Sequence, residues 1–225
     1  MAKTSINNWA IYGLEEFLTS RPSIRLEEIS DSKLILEGEY KFTSTHADNE
    51  LDISDSYEIR IEFHLGYPKI VPTVFELDGR IPKNISNHIY SNDSFCLGSP
   101  IRLKKILQQS SGIHDFFENI VMPFLYSYSY KEKHGNYPYG ELAHYGKGLI
   151  DDYEQIFDVK GKRAVMLVLK ALGSNTMTAH RLSCPCGCKR TIGKCEFKHK
   201  IKEWRSLDQR RWYRKHWKEL SRNQF

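Results

Sequence analysis

Two runs of strict alternation constrain this chain more than any other feature. Leu34, Leu36, Gly38, Tyr40 and Phe42 alternate with mostly polar residues, and Tyr57, Ile59, Ile61, Phe63 and Leu65 repeat the pattern against Glu58, Arg60, Glu62 and His64. A period of two gives each segment one apolar face, which suits a half-buried strand and no helix. The polar stretch 46–55 between them reads as a loop. Adding strands at 24–29 and 73–77 predicts a four-stranded antiparallel meander. Ahead of it, Ile6, Trp9, Ala10, Leu14, Phe17 and Leu18 recur at helical spacing, predicting an amphipathic helix over 5–19 that ends at Arg21-Pro22.

Periodicity then stops. Residues 78–100 hold Gly79, Pro82, Asn84, Asn87, Asn92, Asp93, Gly98 and Pro100, a composition that breaks regular structure. Structureless loops of this length are uncommon inside compact domains and usually functional where they occur. Cys96 lies near the loop's end, between Phe95 and Leu97. Helical spacing resumes over 101–107 and 113–130, and the turn-rich run Asn136-Tyr137-Pro138-Tyr139-Gly140 marks a boundary. The chain thus divides into a first domain at 1–138 and a helical extension at 139–225. Helices are expected in the extension over 142–157 and 162–172, with Gly161 between them, and a last basic helix over about 199–220. A chain of 225 residues is long enough for one domain with a full core and a smaller appendage.

Composition excludes several classes. With 40% apolar and 27% charged residues the chain is ordinary globular protein, neither disordered nor fibrous. No apolar run approaches the ~18 residues that span a bilayer, and the start, Met1-Ala2-Lys3-Thr4, lacks the apolar core of a secretion signal. A cytoplasmic location and no membrane partner are the expectations. Five cysteines are distributed as one lone thiol, Cys96, and four crowded into twelve residues, Cys184, Cys186, Cys188 and Cys195. That distribution speaks for a metal site plus a separate thiol, against a disulfide framework. From Lys189 onward thirteen Lys/Arg face four Asp/Glu, a net +9, so the other 188 residues carry −4 within the chain's +5.

The order of residues around the loop is similar to a known family. Phe63-His64-Leu65-Gly66-Tyr67-Pro68, followed by Val71-Pro72-Thr73-Val74-Phe75, resembles the "F…YP…P.V.F" stretch of ubiquitin-conjugating enzymes. His88 and then Asn92-Asp93-Ser94-Phe95-Cys96-Leu97 resemble the "NG.ICL" around their active cysteine. The resemblance covers roughly 5–135 and implies an α+β ubiquitin-conjugating-like (UBC) fold: N-terminal helix, meander, long active-site loop, C-terminal helices. It also implies acyl transfer, in which Cys96 accepts the C-terminal glycine of a ubiquitin-like protein from an activating enzyme and passes it to an amine. A thiolate suits both halves, as a strong nucleophile whose thioester is readily aminolysed. His88 could act as a base, orient the loop or simply hold it by hydrogen bonding, with the structural role preferred, and Asp93 reads as a turn residue.

One departure bears on mechanism. Where the family has His-Pro-Asn, this chain has His88-Ile89-Tyr90, so the Asn that helps stabilise the oxyanion is missing. Asn84, Asn87, Asn92 or backbone amides are the candidate replacements. Loss of that motif, with Cys96-Leu97-Gly98 after the loop, looks more like the bacterial ubiquitin-conjugating-like proteins of anti-phage operons, including cyclic-oligonucleotide (CBASS) systems. So, more weakly, does Gly140-Glu141-Leu142 with Gly146-Lys147-Gly148-Leu149 and Tyr153. In those systems the implied cargo is a ubiquitin-like protein or the C-terminus of a cGAS-like nucleotidyltransferase. A buried inert thiol is the bland alternative for Cys96, and the Gly/Asn/Pro-rich loop speaks against it.

The cysteine cluster carries a second chemistry. Cys184-Pro185-Cys186-Gly187-Cys188 leads to Cys195, with His199 four residues later. Zinc takes four soft or borderline ligands in a tetrahedron, and a site closed by four protein ligands is structural. The segment (about 183–200) resembles the SEC-C zinc motif through Cys184, Cys186 and Cys195, but has Cys188 in place of its Ser and Glu196 where its fourth ligand would follow. The fourth ligand is then His199 or Cys188, and i, i+4 spacing from Cys195 on a starting helix favours His199.

The tail interleaves Trp204, Trp212, Tyr213 and Trp217 with Lys200, Lys202, Arg205, Arg210, Arg211, Arg214, Lys215 and Lys218. Packing of the tryptophans onto the knuckle is the preferred reading; nucleic-acid binding and an acidic protein partner are the others. Two alternatives to conjugation stay open: a non-catalytic binding module of the same fold, and a nucleic-acid-binding zinc protein.

Overall fold

A computed structural model describes residues 9–45, 52–110, 112–138 and 145–222. They form an α+β protein in two compact units. The first takes the described residues up to 98 and from 105 to 138; the second takes 99–104 and 145–222.

In the first unit, helix α1 (Leu14–Ser20) precedes strands β1 (Ile24–Ile29), β2 (Lys33–Thr45), β3 (Asp52–His64) and β4 (Thr73–Glu76). The strands pair in chain order, antiparallel throughout, as the alternation predicts. Register between β2 and β3 is unbroken from Lys33 opposite His64 to Thr45 opposite Asp52. It therefore stacks Leu34, Leu36 and Tyr40 beside Phe63, Ile61 and Tyr57 on one face, all buried. Strand β3 starts earlier than the polar composition of 46–55 suggests, because cross-strand pairs such as Thr43 with Ser54 satisfy its polar residues at 2.8 Å. The rest of that stretch, 46–51, lies outside the described residues, as does 5–8 of the expected first helix. That helix is also shorter than its pattern, since Gly13 adopts a left-handed φ of 75° and starts a new helix at Leu14.

Helical structure covers the buried face. Helix α2 (Pro100–Gln109) is followed by α3 (Ile113–Phe116), a π-helical stretch (Phe117–Val121) and α4 (Met122–His134). Phe117 sits 4.3 Å from Phe17 and 5.1 Å from Tyr40 between ring centroids, and Phe116 packs edge-on against Phe63 at 5.6 Å. Tyr57 reaches through to a buried Ser129 hydroxyl at 2.7 Å, and Ser129 donates to Asp55. Burial alone would raise the Asp55 carboxyl, but the Arg80 fork, Ser129 and the Ser56 amide hold it down at about 2.

The second unit is helical: the first residues of α2, then α5 (Tyr145–Phe157), α6 (Lys162–Gly173), α7 (Thr176–Arg181), α8 (Phe197–Trp204) and α9 (Arg210–Arg222). Its core holds Ile101, Tyr153, Phe157, Val165, Leu169, Leu172, Phe197 and Trp204. The expected domain boundary near 138 leaves 99–104 in the first domain, whereas this core claims Ile101. Arg102 and Ser99 also bond Asp152 within the same unit. The single tail helix expected over 199–220 is two helices. They break at Leu207, which is buried, and at Asp208, which receives the almost fully buried Lys104 ammonium at 2.7 Å. No helix among the described residues is long and apolar enough to cross a membrane.

Candidate functional sites

The breaker-rich loop holds its cysteine in an ordered setting. A 3₁₀ turn (Ile85–Asn87) is capped by Asn84, whose side chain accepts from the Asn87 amide at 3.0 Å. His88 follows in the left-handed region, φ 56°, and turns the chain back. Isolated bridges then pair Ile89 with Phe95 and Phe75 with Ser94, tying the loop to β4. Ile89 and Phe95 are buried, and Phe95 stacks on Phe124 at 4.4 Å. Neighbouring residues in an extended pair point to opposite faces. Tyr90 and Cys96, each one residue from the buried bridge, therefore share the outer face.

Cys96 is half-buried, and its amide donates to the His88 carbonyl at 2.7 Å. Tyr90 is 46% exposed, and its phenol is near enough to the Cys96 thiol to feel it electrostatically. Partial burial first, and then the neighbouring Cys96 thiol, push the phenol above its ordinary range. The sequence-level candidates for an oxyanion donor fare unequally. Asn87 is buried with both side-chain atoms engaged, donating to the Pro82 carbonyl and accepting from Lys131 at 2.9 Å. Asn92 accepts from Ser94 Oγ at 2.8 Å and shapes the turn. Tyr90 is the residue that sequence reasoning passed over; its place at the third position of the replaced His-Pro-Asn was the available signal. His88 stacks edge-on with Tyr137 at 5.7 Å, beneath which Lys131 bridges to the Ser86 carbonyl. Asp93, at φ 67°, pairs with Lys83 at 2.6 Å and is a turn residue.

The second site lies in the helical unit. Cys184, Cys186, Cys188 and Cys195 bring their sulfurs within 4.8 Å of one another. Cys184 and Cys186 sulfurs are 3.1 Å apart and Cys186 and Cys195 are 3.8 Å apart. A tetrahedron with metal–sulfur bonds of ~2.3 Å has edges of ~3.8 Å, so the set fits one tetrahedral ion. The knuckle is pinned by an isolated bridge between Ser183 and Thr191, with the Cys184 amide donating to the Arg190 carbonyl at 2.8 Å and Gly187 at φ 83°. Arg190 lowers Cys188 to about 6, chiefly through its amide and then its guanidinium, which also approaches Cys195 at 3.9 Å. Burial and its neighbouring thiols raise Cys184.

His199 is not in this cluster. Its side chain is 66% exposed and meets Glu196 at 3.3 Å. The helical spacing that favoured it does not apply, because Cys195 has extended backbone (φ −127°, ψ 150°) and α8 begins only at Phe197. Cys188 takes the fourth place.

A scan of protein-family models, a search of curated proteins and a search of solved structures each find no match to this chain.

Proposed function

We propose that the first unit is a ubiquitin-conjugating-like acyltransferase that carries its cargo as a thioester on Cys96. The observation that carries this reading is the ordered loop, bridged to β4, that presents a half-buried Cys96 on its outer face beside Tyr90. An inert core thiol would face the other side, where Ile89 and Phe95 are buried. The helix–meander–loop–helix order of the resemblance is consistent with the same reading.

In the first step the Cys96 sulfur attacks the carbonyl carbon of a thioester held on an activating enzyme. A new S–C bond forms, the old one breaks, and the activating enzyme's sulfur leaves, taking up the proton that the Cys96 thiol gives up. In the second step an amine attacks that carbonyl, the C–N bond forms, and Cys96 regains its proton as the sulfur leaves. Both steps pass through a tetrahedral oxyanion, which needs a fixed donor. Tyr90, beside the sulfur, supplies one. The cargo is the C-terminus of a ubiquitin-like protein or of a cGAS-like nucleotidyltransferase, and the setting is bacterial antiviral defence. The four cysteines hold zinc as a structural ion, whose bonds to sulfur tie the knuckle closed.

Intact mass spectrometry under non-reducing conditions, on protein co-expressed with its operon partners, tests the reading. The wild type should carry an adduct that reductant removes. Cys96→Ala should carry none, and Cys96→Ser a reductant-resistant ester. An unmodified wild type, with cargo and activating enzyme demonstrably present and active, points instead to a binding module of this fold.

A further inference from the structure

Helix α9 lines its exposed face with cations, most of which have no carboxylate partner among the described residues. Tyr213, His216 and Leu220 form its buried face. At 100° per residue, Arg211, Lys215, Lys218 and Arg222 fall within ~40° of one line on the opposite side, with Arg214 ~60° away. All five are exposed. The line is ~16 Å long, and neighbours on it are three or four residues apart, where like charges destabilise a helix. Glu219 is the one acid within this helix, and it lies 3.8 Å from Lys215 and 3.9 Å from His216. Among the described residues Arg211, Arg214, Lys218 and Arg222 have no carboxylate within ion-pair distance, and Lys189 and Lys194 of the knuckle add further exposed charge.

The chemistry of the partner follows from what the surface lacks. A protein interface needs aromatic or aliphatic anchors at its centre. In the second unit the one exposed large hydrophobic among the described residues is Met177, on α7. The tryptophans are used internally: Trp204 is 5% exposed and packs on Phe157 and Phe197, while half-buried Trp212 stacks on His216 at 4.9 Å beneath Lys104. They are therefore not laid out as a platform for stacking bases. What remains is a line of cations of which Lys215 alone faces a carboxylate, which suits a partner recognised by charge alone. We propose that α9 binds the phosphate backbone of nucleic acid through Arg211, Arg214, Lys215, Lys218 and Arg222, without reading sequence. This inference is independent of the Cys96 chemistry.

Fluorescence anisotropy of the full chain on a labelled DNA duplex of random sequence, across a salt series, tests it. Each phosphate contact contributes about −0.9 to the slope of log K against log salt, so a slope between about −3 and −5 is expected. A duplex of scrambled sequence should bind equally. Combining Arg211→Gln, Lys215→Gln, Lys218→Gln and Arg222→Gln touches exposed side chains alone, and should weaken binding more than tenfold at low salt and flatten the slope by three to four units. If that variant loses helical circular dichroism, Lys218→Gln alone should flatten the slope by about one unit. No binding at low salt, or binding and slope unchanged in these variants, overturns the proposal. Displacement of the duplex by polyglutamate at equal charge concentration overturns it in favour of an acidic protein.

Discussion

The Cys96 amide donates to the His88 carbonyl over 2.7 Å, so that amide is already engaged. Asn87 is engaged on both its atoms. The Tyr90 phenol is the side-chain donor that interacts electrostatically with the sulfur.

Tyr90→Phe keeps the ring and removes the hydroxyl. A hydrogen bond to a charged group contributes about 1.5–3 kcal/mol, and each 1.4 kcal/mol is tenfold in rate. Thioester formation and aminolysis by single-turnover gel assay should each slow by about 10- to 100-fold, with cargo affinity unchanged. Asn87→Ala should behave differently, lowering the urea midpoint because the Lys131 ammonium loses the closest of its acceptors, while Asn84→Ala only loosens the 3₁₀ turn. Equal losses in all three variants would remove the special role of Tyr90.

The fourth position of the metal site separates Cys188 from His199. Cys188→Ser should lower zinc affinity, measured by competition with a chromophoric chelator, by more than the roughly 10- to 100-fold that an outer-shell loss costs. His199→Ala should retain one zinc per chain. Arg190→Gln should weaken binding moderately, since it withdraws positive charge from Cys188 and Cys195. Removing zinc with chelator should unfold the knuckle, where Cys184, Ile192 and Cys195 share the second unit's core.

The strands were legible because a period of two over five residues has one structural solution. Register could be inferred from Leu34 and Phe63 both needing the buried face. What the pattern did not carry was local backbone chemistry. Gly13 restarts a helix that the apolar spacing runs straight through, and Asp208 and Leu207 break a tail whose basic residues look continuous. At the sites, residue types were visible but their pairings were not. Tyr90 looked like the loss of an asparagine, since its place beside Cys96 depends on a bridge between Ile89 and Phe95 that leaves no trace in composition. Cys188 looked like a substituted serine, because the place where α8 starts decides whether His199 can reach the cluster.

His216 predicts an acid response of the second unit. It is buried against the Tyr153 hydroxyl at 2.6 Å, under Trp212, with Glu219 and Lys104 as the charges facing it. Burial lowers its pKa below the usual value; Glu219 opposes this and Lys104 adds to it. A folded pKa below the unfolded one means the unfolded chain binds the proton first. Stability is therefore full above the unfolded value of ~6.5 and falls as pH drops below it. Thermal melts at pH 7.5 and 5.0 should show a larger loss for the wild type than for His216→Gln. Comparing the two at each pH cancels proton competition for the cysteines, which both share. Parallel losses would mean that His216 does not couple to folding.

Gly38 tests the sheet that carries the loop. It lies opposite Ile24 in the β1–β2 pair, at φ 144°, and a Cβ there would stand 2.0 Å from the Ser23 carbonyl oxygen. That oxygen is backbone and cannot swing aside as a side chain would. Gly38→Ala therefore combines left-handed strain with overpacking, each worth about 1–3 kcal/mol. A loss of about 3 kcal/mol or more is expected from urea unfolding. Gly79→Ala is the control, because Gly79 has φ 73° with nothing within 4 Å of its Cβ position. It should cost only the backbone part, about 1–2 kcal/mol, and the difference between the variants isolates the close approach of β1 to β2. Were the two losses equal, the contact with Ser23 would be relieved by strand movement, and β1 would be free to shift against the rest of the meander.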